Sequence, residues 1–223
     1  VEFAMNSNLG QKQELFEQLL KATHNFKTFH LYTSCESIGA HAEYIRDGLK
    51  WELWKENAER IIVDGNLKTF NVMMTINALC LFSITEFLDF TNELRKKYEN
   101  KTEVLVTLNI LRFPSFQSAT TLPEHIKLER AQHLQSWAEN LIKENKETNL
   151  HTEASLWGLV NQVYRLCEYL REVTQGHRFA SDLESREKDF RELLTFKLGH
   201  YGWPSHSHPN AHRKLGRYNY PLY

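Results

Sequence analysis

Cysteine is scarce in this chain. Cys35, Cys80 and Cys167 are the full set, an odd number with no Cys-x-x-Cys pair. That usage excludes a disulfide framework and any zinc or iron-sulfur ligand set of recognisable spacing, and it fits a reducing compartment. An excess of one charge is also lacking: 27 Lys and Arg face 28 Asp and Glu, a net charge of -1. A broad nucleic-acid-binding surface needs clustered excess basic residues, so none is expected. Long hydrophobic runs are missing too. The longest, Ile76 to Ile84, is broken by Asn77 and Ser83 and is too short to span a bilayer. The N-terminus lacks the basic, apolar, small-residue order of a signal peptide. No Gly-rich loop of the kind that cradles phosphate occurs among the nine glycines. These absences point to a cytoplasmic chain with neither membrane nor nucleic acid as partner.

What is present is ample core material, with 41% hydrophobic and 12% aromatic residues over 223 positions. Four strand-like runs are each followed by a helical pattern. Val1 to Asn6 precedes Gln11 to Phe26, and Thr28 to Thr33 precedes a loop and then Trp51 to Val63. Lys68 to Ile76 precedes Leu79 to Tyr98, and Val104 to Phe113 precedes Glu124 to Lys146. Strand then helix, four times over, implies an α/β fold with a parallel sheet or barrel and right-handed crossovers. Val104-Leu-Val-Thr-Leu-Asn-Ile-Leu reads as apolar on both faces, as a strand buried on both sides requires. Beyond residue 147 the strands stop. Leu156 to Val173 and Phe179 to Leu198 carry amphipathic helices that should pack outside the sheet. The tail from Gly199 holds three of the five prolines and four histidines. Residues 1–147 are thus expected to form the sheet-bearing part and 148–223 a helical extension with a Pro, His and aromatic tail.

Each strand run ends in residues that can touch a polar ligand: Asn6-Ser7-Asn8, Ser34-Cys35-Glu36-Ser37, Thr75-Ile76-Asn77 and Arg112-Phe113-Pro114-Ser115. In parallel α/β folds the carboxyl ends of strands open onto the ligand crevice. Asn and Ser there serve equally well as caps of the next helix. After the second strand the chain delivers Glu43-Tyr-Ile-Arg46 just before a Trp-led helix. Arg46 suits a ligand carboxylate, or a surface ion pair with Glu43 or Asp47. Cys35 has nothing beside it to activate a thiolate and reads as a packed thiol. His200, His206, His208 and His212 lie close together, but Pro209 breaks the helical spacing of the last two, so no metal site is assigned.

Taken in order, Met5-Asn-Ser-Asn-Leu, Ser34-Cys-Glu-Ser with Glu43-Tyr-Ile-Arg-Asp-Gly-Leu-Lys-Trp51 and Asn57, Met74-Thr-Ile-Asn77 with Leu81-Phe-Ser-Ile, and Phe113-Pro-Ser with Leu122-Pro and Lys127 resemble the later part of a twitch-domain radical S-adenosylmethionine enzyme. The resemblance covers roughly residues 1 to 128. It implies strands three to six of a six-stranded partial (β/α) barrel, truncated at the N-terminus, a view to which the opening at Val1 within a strand-like run contributes. It also implies a crevice for S-adenosylmethionine contacted by Asn6, Asn8, Ser34, Glu36, Arg46 and Asn77. A four-iron, four-sulfur cluster belongs to the full-length family pattern. The Cys-x3-Cys-x2-Cys loop that holds it and the Gly-Gly-Glu segment are not in this sequence, and the family's Asp-Gly is replaced by Glu36-Ser37. No catalytic residue is assigned, the substrate is an unspecified small molecule or peptide, and such a piece alone is expected not to turn over. The competing expectation is a non-catalytic α/β binding module whose unpaired edge at Val1 to Asn6 meets a protein partner or a second copy.

Overall fold

The computed structural model describes residues 1–10, 12–146 and 153–176. Strands β1 (Glu2–Asn6), β2 (Thr28–Ser34), β3 (Thr69–Ile76) and β4 (Glu103–Ile110) alternate with helices α1 (Gln13–Thr23), α2 (Gly39–Ile45), α3 (Trp51–Asp64), α4 (Ile84–Lys97), α5 (Glu124–Lys146) and α6 (Glu153–Gly176). The strands form one parallel sheet in the order β1-β2-β3-β4. Each strand is therefore laid beside the one before it. Right-handed crossovers in such a sheet place successive connecting helices on one face.

The two faces differ in chemistry. Phe29, Leu31 and Thr33 of β2 and Phe70, Val72, Met74 and Ile76 of β3 are buried. Helix α3 lies over this side, where the Trp54 indole N–H donates to Thr33 Oγ1 at 3.3 Å. Trp54 is fully buried and stacks on Trp51 at 5.7 Å, with Phe87 of α4 at 5.9 Å. The opposite face carries Thr28, His30, Tyr32 and Ser34, then Thr69, Asn71, Met73 and Thr75, aligned across the ladder. The period-two alternation of β2 is the sequence signature of this two-faced sheet.

Several expectations change. Strand β4 is not apolar on both faces: Glu103, Thr107 and Asn109 are exposed on the side where Leu105 is half-buried. Residues 39–45, read as loop, form helix α2, bracketed by Gly39 at φ +51° and Gly48 at φ +79°. Left-handed backbone at both points is open to glycine at little cost. The helix expected from Leu79 begins as a short 3-10 turn, Cys80–Phe82, and restarts at Ile84. Helix α6 lies outside the sheet, packed on α5 and along the edge of β4, where the Gln162 carboxamide accepts from Leu108 N–H at 2.8 Å and donates to Val106 C=O at 3.0 Å. The helix expected over Phe179 to Leu198 and the histidine-containing tail lie outside the described residues. No helix among the described residues is long and apolar enough to cross a membrane.

Candidate functional site

The carboxyl ends of β1, β2 and β3 stand side by side, and the polar residues at those ends form the candidate site. At the end of β1, Asn6 pairs with Tyr32 in the ladder and is exposed. Ser7 N–H donates to Tyr32 C=O at 2.8 Å, which continues the sheet one residue further. Its hydroxyl oxygen is buried with no hydrogen-bond partner among the described residues. Asn8 Oδ1 accepts from Gly10 N–H at 3.0 Å, closing a local turn. Beneath it, fully buried Asn57 of α3 donates to Leu9 C=O at 2.6 Å, while its own Oδ1 is without a partner among the described residues. Two buried polar oxygens at one strand end are unusual, since such groups are nearly always paired.

The end of β2 carries the charged pair. Glu36 is 4% exposed, and its Oε2 receives Arg46 Nε at 2.8 Å and Nη2 at 2.7 Å. Arg46 follows α2 directly, so the seven-residue helix folds the guanidinium back over the strand end it came from. The partner is Glu36 rather than Glu43 or Asp47. Glu43 instead accepts from Trp51 N–H at 3.0 Å and so caps α3. Ser34 closes the strand on the polar face and is half-buried.

The end of β3 is tied to that of β2. Ser37 and Ser83 share a hydroxyl hydrogen bond of 2.5 Å. Asn77 Oδ1 accepts from Leu79 N–H at 3.0 Å and Cys80 N–H at 3.1 Å, and its Nδ2 donates to Thr75 C=O at 3.1 Å. Asn77 thus caps the 3-10 turn, one of the two roles its sequence position allowed. At the end of β4 the loop crosses back, with Ala78 N–H donating to Gln117 C=O at 2.8 Å.

Burial pushes the Cys35 thiol up to about 12, and the nearby Glu36 carboxylate pushes the same way. Cys80 is raised further for the same first reason, burial, and Cys167 to about 11. All three are held as thiols. An unfolded thiol ionises near its ordinary 9.0 while folded Cys35 does so near 12. Stability from this thiol is therefore full below pH 9 and declines as pH rises toward 12, by up to about 1.4 kcal/mol per pH unit. Urea midpoints measured from about pH 8 to about pH 11 should fall, and Cys35→Ser should flatten the fall.

One group of residues on the polar face escaped the reading of strand ends. His30 Nε2 lies 3.0 Å from Glu2 Oε1, and its Nδ1 lies 2.8 Å from Thr69 Oγ1, which also accepts from Asn71 Nδ2 at 2.7 Å. A carboxylate only accepts, so Nε2 carries the proton toward Glu2. In the neutral ring Nδ1 then accepts from the Thr69 hydroxyl, and every bond in the chain Asn71 to Thr69 to His30 to Glu2 runs in one direction. The signal was available as polar residues at every second position of β2. Comparison with protein-family models, curated protein sequences and solved structures yields no match for this chain.

Proposed function

We propose that the strand-end crevice binds S-adenosylmethionine and that this chain supplies the cofactor-binding wall of a radical S-adenosylmethionine enzyme, its four strands curving as part of a (β/α) barrel with the polar face inward. The observation that carries the reading is the placement of Ser7, Glu36 and Arg46 at the ends of the neighbouring strands β1 and β2, in a sheet that is polar on one face only. The buried Ser7 hydroxyl and Asn57 Oδ1, unpartnered among the described residues, fit a ligand rich in hydroxyl and amine groups. Arg46 uses Nε and Nη2 on Glu36, and 29% of its side chain is exposed. Its Nη1 edge can meet the methionyl carboxylate while Glu36 fixes the plane of the guanidinium. Asn6, Asn8 and Ser34 supply ribose or adenine contacts. Asn77 acts by shaping the β3 turn rather than by touching the ligand.

A four-iron cluster does not fit the described residues. Their thiols are buried and protonated, and no group of three or more His, Cys, Asp or Glu among them could hold a metal ion. Cofactor cleavage is therefore not assigned to this chain. Titration calorimetry with S-adenosylmethionine tests the binding role: a saturable one-to-one isotherm at millimolar ligand is expected, with Arg46→Ala weakening it about tenfold, the loss of one charge-assisted pair. An isotherm unchanged by Arg46→Ala would remove Arg46 from the site.

A second reading is favoured by β1. All five of its residues are exposed along a sheet edge, with Phe3 and Met5 each 39% exposed. An open edge of this kind pairs readily with another chain. Light scattering across concentrations should then show a dimer, and hydrogen exchange in β1 should slow as the dimer forms. A monomer at every concentration would defeat this second reading.

A further inference from the structure

Where α6 crosses the free edge of β4, Gln162 supplies the two hydrogen bonds that a neighbouring strand would make, one to Leu108 N–H and one to Val106 C=O. Backbone groups alternate along a strand. Leu111 N–H points back to β3, donating to Ile76 C=O at 2.9 Å, so Ile110 N–H faces the same way as that of Leu108, toward α6. Just above the Gln162 carboxamide the strand and helix part to leave a cavity of about 290 Å³. Leu108, Ile110 and Leu166 form its apolar wall, and Asn109, Arg112 and Arg165 its polar rim.

The charge of that rim is one-sided. Two guanidinium-bearing residues line one small space, and no carboxylate does. The arginine ion pairs among the described residues belong to Arg46, Arg60 and Arg130, and neither rim arginine is engaged by any other described residue. Guanidinium groups match the planar, two-oxygen face of carboxylates and phosphates. The volume lies just under the range of ligand sites, roughly 300 to 1,000 Å³, and so suits a small ligand. Helix α6 holds Arg165 and Leu166 next to each other one turn beyond Gln162, so the anchoring of the helix on the strand edge also sets the position of the cavity wall.

We infer that this cavity is a binding site for a small organic anion, an oxyanion group held between Arg112 and Arg165 with its apolar body against Leu108, Ile110 and Leu166. Its lining shares no residue with Ser7, Glu36, Arg46 and Asn57 at the ends of β1 and β2, and the inference does not depend on a ligand bound there. The test is a nitrogen-15 correlation titration of the whole chain with hexanoate and, separately, phenyl phosphate, with inorganic phosphate as reference. Saturable shifts centred on Asn109, Ile110, Arg112, Gln162 and Leu166 are expected with at least one organic probe, hexanoate identifying a carboxylate site and phenyl phosphate a phosphate-ester site. Inorganic phosphate should bind about tenfold more weakly because it has no apolar body to bury. Arg112→Gln and Arg165→Gln each should weaken the organic probe about tenfold while leaving the thermal midpoint unchanged, since both side chains are exposed. The inference is overturned if neither organic probe saturates, if inorganic phosphate binds as tightly as the better of them, or if the double Arg→Gln variant still binds.

Discussion

Trp54→Ala is expected to destabilise the chain by about 3–5 kcal/mol, the range for emptying a large aromatic site in a core. Trp54 is fully buried, and its ring lies within 6.3 Å of Trp51, Phe87 and Phe90. It thereby joins α3 to α4 over the centre of the sheet. The substitution also removes the indole N–H that Thr33 Oγ1 accepts. No neighbour can turn into the space without losing its own aromatic contacts, so little relaxation is expected. Trp54→Phe keeps most of the volume and should fall well short of the alanine loss. The check is urea unfolding followed by far-ultraviolet circular dichroism, which does not depend on the tryptophan signal. A loss under about 1 kcal/mol for Trp54→Ala would mean that the cluster is not a tightly packed core.

Glu36→Ala is the second large effect, and it links stability to the proposed site. Glu36 is almost wholly buried and Arg46 less so, with 29% of its side chain exposed. Breaking a buried pair by removing one partner costs about 3–5 kcal/mol when the orphan charge stays buried. Arg46 can reach water after the change, so the expected loss is about 2–3 kcal/mol, with Glu36→Gln nearer 1 kcal/mol because an amide oxygen still accepts. The double variant Glu36→Ala with Arg46→Ala should lose less than the sum of the two single variants, as residues in one ion pair do. Additive losses would show that the pair is not energetically coupled. S-Adenosylmethionine binding should weaken in Glu36→Ala even under conditions where the fold is intact, because the guanidinium would lose the carboxylate that holds its plane.

Much of the architecture is legible in the residues, for physical reasons that also explain the gaps. The four strand-helix alternations stand out because each strand run is short and rich in β-branched and aromatic residues, and each helix carries an apolar stripe. Helix α5 spans Glu124–Lys146, with the limits its pattern suggests, since Pro123 sets its start. Helix α2 was hidden because seven residues, Gly-Ala-His-Ala-Glu-Tyr-Ile, are too few to show a periodic stripe and no side chain caps them. The ion pair of Arg46 with Glu36 was hidden for the same reason: with α2 read as a loop, nearby Glu43 and Asp47 seemed better placed. Asn77 at a strand end was a binding group or a cap, and only its bonds to Leu79 and Cys80 show the cap. The His30 chain was overlooked because a parallel strand is ordinarily buried on both faces. In β2 the alternation of Thr28, His30, Tyr32 and Ser34 with Phe29, Leu31 and Thr33 marked one face as polar, and that face runs up to Ser34 at the strand end.

The binding role of the strand-end crevice is tested most directly by a nitrogen-15 correlation titration of the intact chain with S-adenosylmethionine. Saturable shifts are expected in the amides of residues 6–8, 34–37 and 46, lost or weakened in Arg46→Ala. Shifts confined to other parts of the molecule, or none that saturate at millimolar ligand, would contradict it.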